Sequence, residues 1–273
     1  MGNLIRAEFY RIRCQRWGFY GLIGSVLGGV VLLTALCAFP QQNGDAALLF
    51  QTIEYSSILG MVLAVPCADL ASAKVEGKLV LLKNEAVFGI PRWQMYLSRL
   101  FTALLLGIGL VLAMSLLALI LALVLLPGID RLPGILISYG AILGTALPLW
   151  MASAGFFLCL KFIFRSGAMA GIVVALYYLV GFPILGAAAT VVPSDTGTPG
   201  PISTLLYALH PMTHFWNGDM VVEGIQTGIS ITLTPEAFVD TPPPLLYCWA
   251  VGLVWLISTS AAAIAVLQRR ELR

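Results

Sequence analysis

A chain of 273 residues that is 59% apolar and only 10% charged cannot be wrapped into a water-soluble globule without exposing large apolar patches. The composition therefore points to the bilayer as solvent, and a formal net charge of +2 gives no reason to expect nucleic acid as a partner.

Read in chain order, Ile5, Phe9 and Ile12 recur at helical spacing among Arg6, Arg11, Arg13 and Arg16. This predicts an amphipathic helix over 3–16 in the headgroup plane, with Trp17 at the interface. A positively charged membrane anchor is the simpler alternative for the same residues. Crossing roughly 30 Å of hydrocarbon takes about 20 apolar residues in a helix, and the runs expected to do so are 17–39, 47–67, 100–126, 135–160, 168–192 and 245–267. The second is interrupted by Glu54. The first run is too long for the core of a secretory signal peptide, and Leu36 before Cys37 is not the small residue that lipoprotein processing requires. The expected fold is all-α: one polytopic integral membrane domain over 1–273 with six spans.

Orientation follows Lys and Arg. With the N-terminus inside, every one of the 15 basic residues except Arg131 falls on the cytoplasmic side, and both termini are cytoplasmic. Short links at 40–46, 127–134 and 161–167 force antiparallel neighbours. Two links are long: a cytoplasmic one over 69–99, and an outer one over 193–244, whose part Leu205 to Trp216 is apolar and aromatic enough to lie on or dip into the outer leaflet. No internal repeat is evident, which speaks against a transporter built from inverted repeats.

Chemistry-bearing patterns are few. There is no Gly-x-x-x-x-Gly-Lys followed by Ser or Thr, so the chain has no phosphate loop of that type. His210 and His214 stand four apart, but Pro211 occupies the place where a zinc hydrolase has Glu, which favours structural histidines over a metal site. The five cysteines have no metal-ligand spacing and read as small buried hydrophobes. Glu54 is the one acid well inside an apolar run, either reaching the outer surface or serving a function. Gly24 with Gly28, Gly140 with Gly144 and Gly167 with Gly171 have the spacing that lets helices approach closely. Pro66, Pro148 and Pro183 imply kinks.

The cytoplasmic link carries a family resemblance. Glu76-Gly77-Lys78, the apolar run Leu79 to Leu82, Glu85, then Gly89-Ile90-Pro91-Arg92-Trp93 and Tyr96-Leu97-Ser98-Arg99 resemble the permease subunits of type-2 ATP-binding-cassette (ABC) exporters. Asn3 to Ile12 is similar to that family's interfacial helix, and Leu267 to Leu272 to its cytoplasmic end. Lys78 stands where the family often has a small hydroxyl residue.

The resemblance implies a non-enzymatic subunit that pairs with itself or a related permease and with two copies of an ABC ATPase subunit. ATP and Mg would sit on the ATPase, and this chain would bind no cofactor or metal. Glu76, Gly77, Lys78, Leu82, Glu85, Gly89, Pro91 and Arg92 would form the ATPase-coupling segment. The cargo would be hydrophobic or amphipathic: a peptide antibiotic, as in antimicrobial peptide immunity, a drug, or a lipid-like molecule. Glu54, Phe215 and Trp216 are expected along its path and Gly24 and Gly28 in a homodimer interface, in the plasma membrane among lipids. The alternatives are an intramembrane metal-dependent enzyme using Glu54 with His210 and His214, and a non-transporting membrane anchor or sensor.

Overall fold

The computed structural model describes residues 2–14, 16–38, 60–72, 89–125, 132–164, 166–190, 205–206, 209–211, 220–221, 230–231 and 244–269. The elements are α1 (Gly2–Cys14), α2 (Arg16–Ala38), α3 (Gly60–Ala71), α4 (Arg92–Leu125), α5 (Leu132–Phe164), α6 (Gly167–Leu176), a π-helical turn (Tyr177–Gly181), α7 (Phe182–Thr190) and α8 (Pro244–Arg269). A two-residue antiparallel ladder, Met220–Val221 with Ser230–Ile231, is the one departure from helix among the described elements.

Among the described residues, four stretches are long and apolar enough to cross a membrane: Arg92–Leu121, Leu143–Phe164, Gly167–Leu185 and Leu246–Arg269. Gly18–Gly29 and Gly60–Ala71 are shorter apolar pieces. Their outward faces remain apolar, with Leu105, Leu112 and Leu116 on α4, Ile172 and Leu176 on α6, and Val254 and Ile257 on α8 all exposed. Apolar surface of this extent is what a hydrocarbon solvent tolerates and water does not.

Three boundaries differ by four residues or more from the sequence expectation. α3 runs on to Ala71, four residues past Cys67, α4 begins at Arg92, eight residues before Leu100, and α5 ends at Phe164, four residues past Leu160. Hydropathy stops at the first charge, whereas a helix continues past it when the charge has a partner on a neighbouring helix. Asp69 and Arg99 both do.

The core lies in two clusters along the bundle. One contains Ile12, Tyr96, Leu100, Phe157, Leu158, Phe162 and Leu267, the other Val26, Met61, Val111, Met114, Leu149 and Trp150. Between helices the ties are single polar contacts: Ser153 Oγ donates to the Met61 carbonyl at 3.0 Å, and the Tyr96 hydroxyl and Ser260 Oγ lie 3.3 Å apart.

Among the described elements α5 and α8 pack together extensively, and Pro148 explains the geometry of their contact. A proline inside a helix has no N–H, so the carbonyl four residues back loses its donor. That carbonyl belongs to Gly144, and the Trp249 indole Nε1 of α8 donates to it at 3.1 Å. α8 comes this close because its next turn carries Gly252, where a Cβ would stand 2.5 Å from the Pro148 carbonyl oxygen. Three residues therefore make one joint: a missing donor, a substitute donor and a residue small enough to admit the helix supplying it.

Trp249→Phe keeps an aromatic ring but removes the donor, and the lost hydrogen bond accounts for about 1 kcal/mol of its cost, within the range for single cross-helix hydrogen bonds. Pro148→Ala restores the helix's own donor, so the same Trp249→Phe change should cost about 1 kcal/mol less in that background. Thermal unfolding of the four variants in detergent measures the coupling; additive effects would refute the joint.

Candidate functional site: the charged end of the bundle

The long link between α3 and α4 leaves and returns at the same end of the bundle, and each of its feet is pinned. At the first foot the Ser72 amide donates to the carbonyls of Ala68 and Asp69 at 3.0 and 3.2 Å, and Ser72 Oγ donates to the Asp69 carbonyl at 2.9 Å, closing α3. At the second foot Gly89 has φ of 77°, a left-handed conformation that suits glycine. The Pro91 carbonyl then accepts from the amides of Gln94 and Met95 at 2.9 and 3.2 Å, opening α4.

The first foot is held from two sides. Lys161 of α5 donates from Nζ to Asp69 Oδ1 at 2.6 Å and approaches the Asp69 carbonyl at 3.2 Å. The Asp69 carboxylate also lies over Gly167, the first residue of α6, where the positive end of the helix dipole favours an anion. From the other side Arg11 of α1 donates from Nη2 to the Ala71 carbonyl at 2.7 Å.

The second foot is held by Arg92 and Arg99. Arg92 Nη1 donates to the carbonyls of Leu267 and Gln268 at 3.0 and 2.6 Å, satisfying acceptors at the C-terminus of α8 that have no donor within the helix. Arg99, 1% exposed, pairs through Nε with Glu8 Oε1 at 3.4 Å, while Glu8 Oε2 accepts from Arg11 Nε at 2.7 Å. Glu8 is itself 5% exposed, so the chain buries a carboxylate between two guanidiniums.

Of the coupling residues picked from sequence, Gly89, Pro91 and Arg92 stand at the second foot. Glu76, Gly77, Lys78, Leu82 and Glu85 lie outside the described residues, as do Glu54, His214, Phe215 and Trp216. Gly24 and Gly28 are exposed on α2 and a Cβ at either meets nothing within 4 Å of this chain. Sequence reasoning passed over Glu8, Arg11, Asp69, Arg99 and Lys161 as site residues. The available signal was Glu8, the one acid among the basic residues of 1–16, set one turn from Ile12 on the inward face.

His210 belongs to a second polar spot. Its ring is fully buried, stacked on Tyr177 at 4.4 Å, and Nε2 lies 3.4 Å from the Tyr177 carbonyl, in the π-helical turn. The Trp255 indole donates to the neighbouring Leu209 carbonyl at 2.8 Å. Leu209 to Pro211 thus pack between the π turn and α8, inside the bundle, rather than lying on its outer surface. No cluster of three or more His, Cys, Asp or Glu side chains that could hold a metal occurs among the described residues.

No protein-family model, curated protein or solved structure matches the chain.

Arg92→Ala should free the end of α8. Deuterium uptake over 264–269 is expected to rise several-fold, corresponding to about 1 kcal/mol for the lost capping contacts. Unchanged uptake there would show that the guanidinium does not hold the terminus.

Proposed function

We propose that the chain is the membrane permease subunit of a type-2 ABC exporter, with six spans and both termini in the cytoplasm. It acts as a homodimer or with a related permease, carrying two copies of a separate ATPase subunit that holds ATP and Mg. ATP hydrolysis there drives export of a hydrophobic or amphipathic cargo, a peptide antibiotic, drug or lipid-like molecule, across the plasma membrane.

The observation that carries this reading is the anchoring of both feet of the 73–88 link. Through Lys161, Arg11, Arg92 and Arg99 the link's ends are fastened to α5, α1, α8 and again α1. A soluble partner gripping the link would pull on all of these helices at once, which a solvated connecting loop has no reason to allow. The motif order Glu76-Gly77-Lys78 through Arg99 supplies the kind of partner: an ABC ATPase whose groove takes the link's charged and apolar segment. Exposed Gly24 and Gly28 leave room on α2 for a second protomer, and Glu54, Phe215 and Trp216 line the outer part of the path. The enzyme alternative gains nothing from His210, whose ring is enclosed by aromatic side chains.

Purification in mild detergent should bring down an ATPase subunit. Reversing the charge of Glu76 or Glu85 should weaken that association or uncouple hydrolysis from export, leaving membrane insertion intact; wild-type coupling in both variants would refute the assignment.

Topology is checked separately by impermeant thiol labelling of single cysteines in intact cells. Positions near Asp195 and Glu236 are expected to label and positions near Lys83 to be protected. The reverse pattern would put the link on the wrong side for an ATPase.

A further inference from the structure

The two feet of the link are not merely close to the same helix; they share one side chain. Glu8 Oε2 is held by Arg11, which reaches the Ala71 carbonyl at the first foot, and Glu8 Oε1 faces Arg99 in the second foot's helix. We propose that Glu8 is a positioning residue that fixes the separation of the two feet, making α1 the cross-piece that moves with the link as one body. Its role in transmitting force rests on the exporter reading above; the clamp itself does not.

The chemistry requires a carboxylate. Two guanidiniums converge on Glu8 in a place from which water is largely excluded, with Arg99 1% and Glu8 5% exposed. Charges of like sign in such surroundings repel strongly unless an anion stands between them. An amide of the same shape offers one acceptor oxygen and no charge, so the two cations would push the feet apart. Ile12, one turn on and also buried, keys the same face of α1 into the apolar cluster with Tyr96 and Leu100. Arg6, Tyr10 and Arg13 on the opposite face are exposed, so α1 is bound to the bundle by its acid-bearing side.

Hydrogen–deuterium exchange on the full chain in lipid nanodiscs tests the clamp without any ATPase. Glu8→Gln should accelerate exchange in α1 and at both feet, 68–72 and 92–99, by on the order of tenfold or more, as expected when a buried ion pair loses its carboxylate. Glu8→Gln with Arg99→Met removes the surviving repulsion and should return the second foot close to wild-type rates. Arg11→Met alone should loosen α1 and 68–72 while sparing 92–99, and it keeps the clamp testable if Glu8→Gln fails to fold. Acceleration confined to α1, no rescue by Arg99→Met, or equal loosening of both feet in Arg11→Met would each overturn the proposal. In the complex with its ATPase, Glu8→Gln should lower cargo moved per ATP several-fold with the ATPase still bound. Failure to recover any ATPase would sink the exporter reading and leave the exchange result standing, whereas normal exchange in Glu8→Gln would sink the clamp and leave the exporter reading.

Discussion

A charge at the end of an apolar bundle has to be neutralised where it stands, because neither the hydrocarbon-like interior nor the packed helices beside it can solvate it. Glu8 meets that demand for Arg11 and Arg99, as Asp69 does with Lys161. These pairs also decide geometry. α3 extends to Ala71 and α4 starts at Arg92 since the charges in those turns find partners on neighbouring helices, and α1 is drawn against the bundle rather than left on its surface.

Away from the charged end the same requirement is met by neutral groups. Pro148 strips the Gly144 carbonyl of its donor, and Trp249 replaces it from α8; the carbonyl of Leu209 receives the Trp255 indole. Each of these bonds is worth only about 1 kcal/mol, yet each joins two segments, so the bundle is cross-tied by contacts whose loss would leave a buried polar group unmet. The stacking of His210 on Tyr177 holds Leu209 to Pro211 against the bundle at the π-helical turn.

The two polar spots therefore differ in kind. The charged end gathers salt bridges and helix-terminal carbonyls around the feet of one link, while the aromatic spot around His210 is enclosed and short of charge. α4, with 34 residues or about 50 Å of helix at 1.5 Å per residue, runs from Arg92 at the second foot through both apolar clusters. A displacement of the foot is inherited by a single rigid rod, which suits an element that passes motion from a soluble partner to the spans in the exporter reading.

Composition and hydropathy by themselves were enough to establish a helical chain with apolar crossing segments, since burying backbone in a non-polar solvent leaves few alternatives to helix. Gly89, Pro91 and Arg92 were picked out through the family resemblance, but the left-handed turn at Gly89 and the helix start at Arg92, eight residues before Leu100, came from the fold. The sharing of Glu8 by two arginines 88 residues apart was not legible, nor was the pairing of Asp69 with Lys161. A charge in a sequence reads the same whether water or a distant guanidinium solvates it. Likewise Pro148 signals a kink, but only packing says that Gly252 and Trp249 of α8 stand opposite the gap. Hydropathy is a property of each residue with its solvent, and so can be summed along the chain; the partners of charges and orphaned carbonyls are properties of pairs that only the folded helices bring together.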